Sequence, residues 1–345
     1  MVTVKDVAKL AGVSTATVSR VLNNHPHIAD ETRSRVLWAM EQLGYQPSRV
    51  ARRLRMKSTQ ILGLIISDIA NPFFTSVVRG IEDVAYANQY SLLLCNSDED
   101  PARESLYVDV LQAERVAGII ISPADENSTS CEPLLKNGVP IVAMDRRLRQ
   151  FDVDTVLVDN VKGAYQATSH LIRLGHRRIG LIGGPPRITT GRERREGYEK
   201  ALSEHGLEVD QSLIKIGDFK QDSGYQRACE LLEMDDPPTA IFTANNLMTL
   251  GALNAIHEKG LNIPRDVAIV GFDDMPWAPS LDPPLTAVAQ PTYELGCTAA
   301  DLLLQRIADK DREIVEMKLE PTLIIRDSCG YNEKRGQNKG GNHGA

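Results

Sequence analysis

The apolar positions of this chain follow two different periods, and the change between them falls near residue 60. Over residues 4–44 the apolar residues recur every three or four positions, which is the spacing of amphipathic helices. From residue 61 onward, short runs of β-branched residues alternate with longer amphipathic stretches, a pattern typical of strands followed by helices. The pattern predicts a small helical N-terminal segment followed by a large α/β body.

The N-terminal segment predicts three short helices that share one core. Thr3, Ser14 and Asp30 are residue types favoured at helix N-caps, and Gly12 permits the left-handed turn of a tight corner. The positions expected to face the core are Val4, Val7, Ala8, Ala11, Val18, Val21, Leu22, Val36, Leu37, Met40 and Leu43. This is the helix-turn-helix arrangement, although a three-helix bundle without DNA-binding activity gives the same pattern.

Charge separates the same two regions. The 345-residue chain has a net charge of −7, but residues 1–58 hold ten Lys and Arg against four acids, which leaves −13 for the rest. A basic end on an acidic body suggests contact between that end and a polyanion, while a merely solvated basic face remains the alternative. On the second predicted helix, Thr15, Ala16, Thr17 and Arg20 face outward, and an arginine there can donate two hydrogen bonds to a guanine in the major groove.

Two sequence runs in this region resemble the lac repressor family. The run TVKDVAKLAGVSTATVSRVLN (3–23) matches that family's DNA-binding signature, and the run LGYQPSRVARRLR (43–55) matches its hinge. The resemblance implies that Ser14, Thr15, Ala16, Thr17 and Arg20 meet DNA in the major groove, with the Ala16 methyl group against thymine. It also implies a hinge helix over residues 48–56 that pairs with a twin in the minor groove, where Leu54 wedges between base steps beside Arg55. Packing of Leu54 onto the body is the alternative.

The body predicts two doubly wound parallel-sheet lobes, because apolar strands alternate regularly with helices over about 270 residues. The predicted strands are Ile61–Ser67, Ser91–Asn96, Gly118–Ile121, Ile141–Met144, Thr155–Val158, Ile179–Gly183, Ala240–Thr243, Val267–Gly271, Thr286–Ala289 and Thr322–Ile325. The clearest helices between them are Pro72–Asn88, Gly163–Leu174 and Leu247–Lys259.

The residues that follow these strands indicate a ligand, since doubly wound sheets bind ligands past the carboxyl ends of their strands. They are amides, carboxylates, arginines and aromatic rings: Asn71, Phe73, Phe74, Asp145, Arg146, Arg194, Phe219, Asn245, Asp273 and Gln290. Such a set suits a polyol, whose hydroxyls pair with acids, amides and guanidinium groups while rings cover its C–H faces. Each residue also has an ordinary explanation, and Asn71 is equally suited to capping the helix that begins at Pro72.

The body as a whole resembles the effector domain of the lac repressor family, which is similar to periplasmic sugar-binding proteins. The ten residues above are similar to the ligand contacts of ribose-binding proteins, which implies a small sugar-like effector. Asn246 departs from the pattern, because relatives usually carry Asp there. The acidic run Asp98-Glu99-Asp100 is interpreted as a solvated loop, and Gly183-Gly184 as a turn rather than a phosphate loop.

These observations predict an all-α helix-turn-helix headpiece (1–46), a hinge helix and linker (47–59), a periplasmic-binding-protein-like effector and dimerisation domain (60–328) and a disordered tail (329–345). We expect a cytoplasmic homodimeric regulator, most simply a repressor, which reads a palindromic operator and senses a sugar or nucleoside. We expect no enzyme activity, no cofactor, no metal site, no export and no membrane partner, since the five cysteines are scattered and no apolar leader is present. The alternatives are a solute-binding protein for sugar or nucleoside uptake and an enzyme acting on a sugar.

Overall fold

A computed structural model describes residues 2–22, 25, 27–45 and 59–331. The chain separates into two compact units that divide between Thr59 and Gln60. We call the first unit the headpiece and the second the body. The predicted hinge helix, including Leu54 and Arg55, lies outside the described residues.

In the described part of the headpiece there are three helices, α1 (Val4–Ala11), α2 (Thr15–Leu22) and α3 (Asp30–Gln42). Thr3 and Asp6 form a reciprocal capping box at α1, and Gly12 adopts φ +63° at its end, as the corner requires. Leu37 was predicted to face the core, but this side chain is half exposed and Ala39 is buried in its place. The core is built from small residues, namely Val7, Ala8, Ala11, Val18, Val21, Val36 and Ala39.

The body alternates strands and helices along the chain. Its strands are β1 (Ile61–Ile66), β2 (Ser91–Asn96), β3 (Gly118–Ile121), β4 (Ile141–Met144), β5 (Asp154–Val158), β6 (Ile179–Gly183), β7 (Ile214–Ile216), β8 (Ala240–Thr243), β9 (Ala268–Phe272), β10 (Thr286–Ala289), β11 (Glu316–Leu319) and β12 (Thr322–Ile324). Its helices are α4 (Pro72–Ala87), α5 (Pro101–Ala113), α6 (Glu132–Lys136), α7 (Asn160–Arg173), α8 (Thr189–Glu204), α9 (Gln221–Leu232), α10 (Asn246–Glu258) and α11 (Thr292–Ala308).

The strands form two six-stranded sheets, one in each lobe. The first sheet has the order β11-β5-β4-β3-β1-β2 and the second β12-β10-β9-β8-β6-β7. Every pairing is parallel except that of β10 with β12. Because β11 returns to the first sheet and β12 to the second, the chain passes between the lobes three times, and these passages allow the lobes to move relative to one another.

Burial explains why the apolar runs became central strands. Each of β3, β4 and β8 is buried at every position, between helices on both faces of its sheet. Each fully buried Leu or Ile stabilises the fold by about 1.5–3 kcal/mol. The sequence missed β7 and β11, which are edge strands with half-buried or exposed residues and so lack a buried apolar run. Among the described residues, no helix combines the length and apolarity required to cross a bilayer.

The predicted disordered tail began at residue 329, and the structure corrects that boundary. Cys329 is fully buried in the second lobe, with its sulfur 3.2 Å from both His170 Nε2 and Thr286 Oγ1. Tyr331 packs against the same cluster. Thr286 N donates to the Ser328 hydroxyl oxygen at 2.8 Å, and Ile269 N donates to the Ser328 carbonyl oxygen at 2.9 Å. These bonds hold the segment on the sheet, so the ordered body extends at least through Tyr331.

Candidate effector pocket and DNA-reading helix

One pocket collects the carboxyl ends of the strands from both lobes. Strand ends of parallel sheets converge at one edge, so residues far apart in sequence meet there. The pocket encloses about 370 Å³, including its opening to solvent. It is lined by all ten residues predicted to bind the effector and by three others, Asp68, Glu99 and Thr190.

In the first lobe, Arg146 is locked into a buried ion pair. Its two terminal nitrogens each donate to one Glu99 oxygen at 2.7 Å, and the Asp145 carboxylate lies 3.4 Å from its Nε. Burial alone would lower the pKa of Arg146, but Glu99 and Asp145 more than offset that effect and raise it. Burial raises the pKa of Asp145, against the attraction of Arg146 and Arg194. Both terminal nitrogens of Arg146 are therefore fixed before any ligand enters.

In the second lobe, Arg194 has mainly uncharged partners. Its Nε donates to the Asn160 side-chain oxygen at 2.9 Å and its Nη1 to the Ala244 carbonyl at 2.6 Å. The nearest carboxylate, that of Asp273, is 4.0 Å away. Burial lowers the pKa of Arg194, and the nearby carboxylates do not restore it. This guanidinium is therefore less fully compensated by charge than that of Arg146.

Three aromatic rings form the apolar walls. Phe73 and Phe74, at the start of α4, meet edge to face with centroids 4.9 Å apart at 86°. The Phe219 ring packs directly over Gly184. A Cβ atom added at position 184 would lie 2.0 Å from this ring, so a side chain at that position would clash with Phe219. Gly184, directly after β6, thus leaves the space that Phe219 occupies, whereas Gly183 is the last residue of β6 and not part of the predicted turn.

Backbone strain concentrates at this pocket. Four of the residues that line it have positive φ although they are not glycine: Glu99 (60°), Asp145 (66°), Phe219 (70°) and Asp273 (73°). Such conformations are costly for residues with a Cβ atom and persist only where surrounding contacts hold them. At Phe219, the Asn245 side chain supplies one of these contacts by donating to its carbonyl oxygen at 2.9 Å. The strained backbone aims these side chains into the pocket.

Asn71 caps a helix and also lines the pocket. Its side-chain oxygen accepts from Phe73 N at 3.0 Å and so caps α4, while the residue also lines the pocket. The same oxygen accepts from Asn246 Nδ2 at 2.8 Å, a hydrogen bond that joins the two lobes. An aspartate at position 246 would lack this donor, so the departure of Asn246 from its relatives has a structural consequence.

Ion pairs also connect the lobes at the rim of the pocket. Lys220, from the second lobe, donates to Asp68 at 2.6 Å and to Asp98 at 2.8 Å, both in the first. Elsewhere between the lobes, the buried carboxylate of Glu126 lies between Arg149 and Arg192. These contacts stabilise the observed arrangement of the two lobes.

The interpretation of the acidic run 98–100 as a solvated loop was wrong for Glu99, whereas Asp98 and Asp100 remain partly exposed. Glu99 is mostly buried against Arg146, Asp98 holds Lys220, and Asp100 caps α5 by accepting from Ala102 N at 2.8 Å. Sequence reasoning missed Glu99 because its partner lies 47 positions away. The position of the run directly after β2 could have indicated this role, because ligands of parallel sheets bind beyond the carboxyl ends of the strands.

On the headpiece, α2 presents the predicted DNA-reading face. Ser14 caps the helix by accepting from Thr17 N at 3.0 Å, while Thr15, Ala16 and Arg20 are exposed. Val18 and Val21 face the opposite way into the core. The side chains that could reach base edges thus share one surface at the N-terminal half of a helix, which also favours a phosphate.

Two family profiles match the chain and together cover most of it. Residues 3–48 match the bacterial regulatory proteins of the lacI family. Residues 59–326 match the periplasmic binding proteins and sugar-binding domain of the LacI family. The first match covers the helix-turn-helix, and the second covers both lobes with the pocket between them.

Individual relatives agree with these profiles. The HTH-type transcriptional repressor PurR of Mannheimia succiniciproducens is 38% identical over 330 residues, which are 95% of this chain and 98% of the relative. The lac repressor dimer bound to operator and the anti-inducer ONPF is 31% identical, with TM-score 0.82 over 95% of this chain and 99% of that one. A LacI family transcriptional regulator from Enterococcus faecium with bound ribose is 34% identical, with TM-score 0.70 over 78% and 98% of the two chains.

Proposed function

Because this chain belongs to the lacI family of bacterial regulatory proteins, a family of DNA-binding transcriptional repressors and not of enzymes, we propose that its pocket senses a ribose-like sugar. The repressor reads a palindromic operator as a homodimer in the cytoplasm. Residues 1–46 bind DNA, residues 47–59 form the hinge and linker, and the body from residue 60 carries effector binding and dimerisation.

Two-fold symmetry carries the operator proposal. Family members of this kind bind operator DNA as dimers, as in the dimer of the lac repressor with its operator. Two copies of α2 related by a two-fold axis meet two half-sites in inverted orientation. Arg20, exposed on that helix, is the residue placed to donate to guanine, and Leu54 is proposed to wedge between base steps at the centre of the operator.

The observation that carries the sugar proposal is the mixture of donors and acceptors around one small pocket. Carboxylates of Asp145 and Asp273 accept from hydroxyls, and the guanidinium of Arg194 donates to them. Two buried polar atoms, Arg146 Nε and Gln290 Oε1, have no hydrogen-bond partner among the residues that the structure describes. Since buried polar groups normally have partners, a ligand rich in hydroxyls would satisfy them.

A flat heterocyclic base such as a purine fits this pocket less well. Its polar atoms all lie in the plane of the ring, so charged groups above and below that plane would stay unpaired, which costs binding free energy. Phe73 and Phe74 are perpendicular to each other and offer no pair of parallel faces. The same chemistry argues against a nucleoside, whose base adds an apolar plane of that kind.

The proposed response is linkage between two states of the body. A sugar that binds more tightly to one relative orientation of the lobes shifts the population toward it. The contacts of Lys220, Asn246 and Glu126 across the lobes change with that orientation. The DNA affinity then changes by the factor by which the two states differ in sugar affinity.

The test is calorimetry of the full chain against D-ribose, other pentoses, hexoses, nucleosides and purine bases. Binding of ribose or a close pentose, with nucleosides and bases at least tenfold weaker, supports the proposal. Binding of a purine base without any sugar would overturn it. An electrophoretic shift with inverted-repeat DNA, with and without the bound sugar, then reads the response; an absence of any salt-sensitive preference for an inverted repeat would overturn the operator proposal.

Two variants separate the two functions. Asp273→Ala should bind operator DNA as the parent does while losing the response to sugar, because its side chain lines the pocket and accepts from Gln290. Leu54→Ala should weaken operator binding by several kcal/mol and reduce DNA bending, while sugar affinity is unchanged. An unaltered sugar response in the first, or unaltered bending in the second, would contradict the assigned roles.

The uptake alternative predicts different behaviour from the same protein. A solute-binding protein would bind the sugar but show no preference for any duplex. The exposed face of α2 and the match to the helix-turn-helix profile favour the regulator. A gel shift at moderate salt distinguishes the two.

A further inference from the structure

The pocket holds more acidic than basic groups, and each guanidinium in it has a carboxylate neighbour. Asp68, Glu99, Asp145 and Asp273 line it, against Arg146 and Arg194. Lys220, at the rim of the pocket, forms ion pairs with Asp68 and Asp98. A ligand that brings its own negative charge would therefore meet more carboxylate than guanidinium groups, and Arg194, 4.0 Å from Asp273, would be the least compensated cation in the pocket.

Glu99 contributes most directly to this balance. Its two oxygens occupy both terminal nitrogens of Arg146, and the pair is nearly sealed from water, with the side chains 15% and 4% exposed. One of those nitrogens also donates to the Pro123 carbonyl at 3.1 Å. Without Glu99, Arg146 would be the group that a phosphate or carboxylate binds, because a guanidinium matches such anions with two hydrogen bonds.

From this geometry we infer that Glu99 is a specificity-determining residue which restricts the pocket to uncharged sugars and excludes phosphorylated sugars and sugar acids. The inference rests on the proposed sugar-sensing function and adds the charge class of the ligand. Glu99 acts on specificity in two ways: it repels an anion across the pocket, and it occupies the guanidinium that would receive one. The regulator then reports free sugar rather than its phosphorylated product.

The experiment is calorimetry of the full chain with D-ribose and D-ribose 5-phosphate. The parent protein should prefer the uncharged sugar by about 100-fold or more, because an anion near buried carboxylates is poorly screened. Glu99→Gln, which is almost isosteric and still offers Arg146 one acceptor, should narrow that preference by about tenfold or more. Since the substitution barely changes the size of the pocket, a narrower preference reports charge and not steric fit.

Two controls distinguish charge at the pocket from charge in general. Glu99→Asp retains the negative charge and should retain the preference even where both affinities fall. Glu199→Gln removes a carboxylate that is bonded to Arg195 at 2.7 Å on the surface of α8, outside the pocket, and should leave the preference unchanged. Thermal unfolding of each variant with and without sugar verifies that it is folded.

The possible outcomes distinguish failure of this inference from failure of the proposed sugar-sensing function. If no sugar binds the parent protein, the proposed function fails and the inference fails with it. If ribose binds but ribose 5-phosphate binds as tightly, the sugar-sensing proposal stands and the restriction to uncharged ligands is wrong. If the parent protein and Glu99→Gln exclude ribose 5-phosphate equally, Glu99 does not determine the specificity. The comparison of ribose with ribose 5-phosphate in the parent protein tests the charge class of the ligand without any substitution.

Discussion

Each lobe contributes one buried arginine to the pocket, and the two arginines differ in how far neighbouring carboxylates compensate their charge. Arg146, in the first lobe, is held by both oxygens of Glu99 at 2.7 Å, whereas Arg194, in the second, is held by an amide oxygen and a backbone carbonyl. The pKa of Arg146 is raised by its carboxylates, which overcome burial, and that of Arg194 is lowered because burial prevails over its neighbours. The two groups are equally buried, so the difference lies in their partners.

This difference indicates that the two arginines have different roles in the body. A guanidinium whose two terminal nitrogens are both paired with a carboxylate fixes the shape of its lobe, and these nitrogens are not available to a charged ligand. A guanidinium with uncharged partners keeps more of its charge for the ligand, at a cost in desolvation. We therefore expect loss of Arg146 to affect mainly stability and loss of Arg194 to affect mainly ligand binding.

Arg146→Met should produce the largest effect. It leaves the Glu99 carboxylate buried without its partner, which destabilises a protein by about 3–5 kcal/mol. Denaturant unfolding of the body at neutral pH measures this loss. Adding Glu99→Gln in the same chain should recover a substantial part of it, and a loss below about 1 kcal/mol would show that the pair is not structural.

Arg194→Met should cost less stability and more affinity. The Asn160 oxygen and the Ala244 carbonyl lose a donor, which costs about 1–3 kcal/mol in unfolding free energy. Sugar affinity should fall by about 10- to 100-fold, since a charged hydrogen bond to the ligand is lost. The matched control is Arg195→Met, whose side chain bonds to Glu199 and should change neither affinity nor response. Equal sugar affinity in both variants would break the comparison.

Lys220→Met tests the contact between the lobes. The lysine joins Asp68 and Asp98 across the rim and is about one-third exposed, so its pairs contribute at most about 1 kcal/mol after solvent screening. We expect sugar affinity to fall severalfold and to become less sensitive to salt. Lys259→Met, which removes a pair with Glu233 within the second lobe, is the control. A gain in affinity would show that the contact opposes closure.

Asp145→Asn should give the smallest stability change, and one that depends on pH. Burial raises the pKa of Asp145 in the folded body above its value in the unfolded chain. The folded state therefore binds the Asp145 proton more tightly than the unfolded chain does. The protonated carboxyl favours folding below its ordinary pKa, and this contribution to the free energy of unfolding is lost as pH rises through the raised pKa of the folded state. The variant should unfold at higher denaturant concentration than the parent at neutral pH, and the difference should vanish in acid. A variant that is less stable at neutral pH would contradict this assignment.

The sequence alone reached the framework of the fold with few errors. Most predicted strands coincide with observed ones, because central strands such as β3 and β4 are buried on both faces and must be apolar throughout. All ten predicted effector residues meet in one pocket, since the rule that strand ends converge depends only on topology. The edge strand β7 carries no such signal, and the half-exposed Leu37 shows that helical spacing alone does not decide which neighbour is buried.

The sequence determined where the strands and helices lie, which face of α2 is polar, and which strand ends carry polar groups, because these follow from local periodicity and chain order. Only the tertiary structure decided which charges neutralise one another. Glu99 sits in an acidic run that resembles any solvated loop, and its burial against Arg146 depends on a strand that arrives 47 residues later. Charge compensation is a property of distance in space, so it appears only when the strands have assembled.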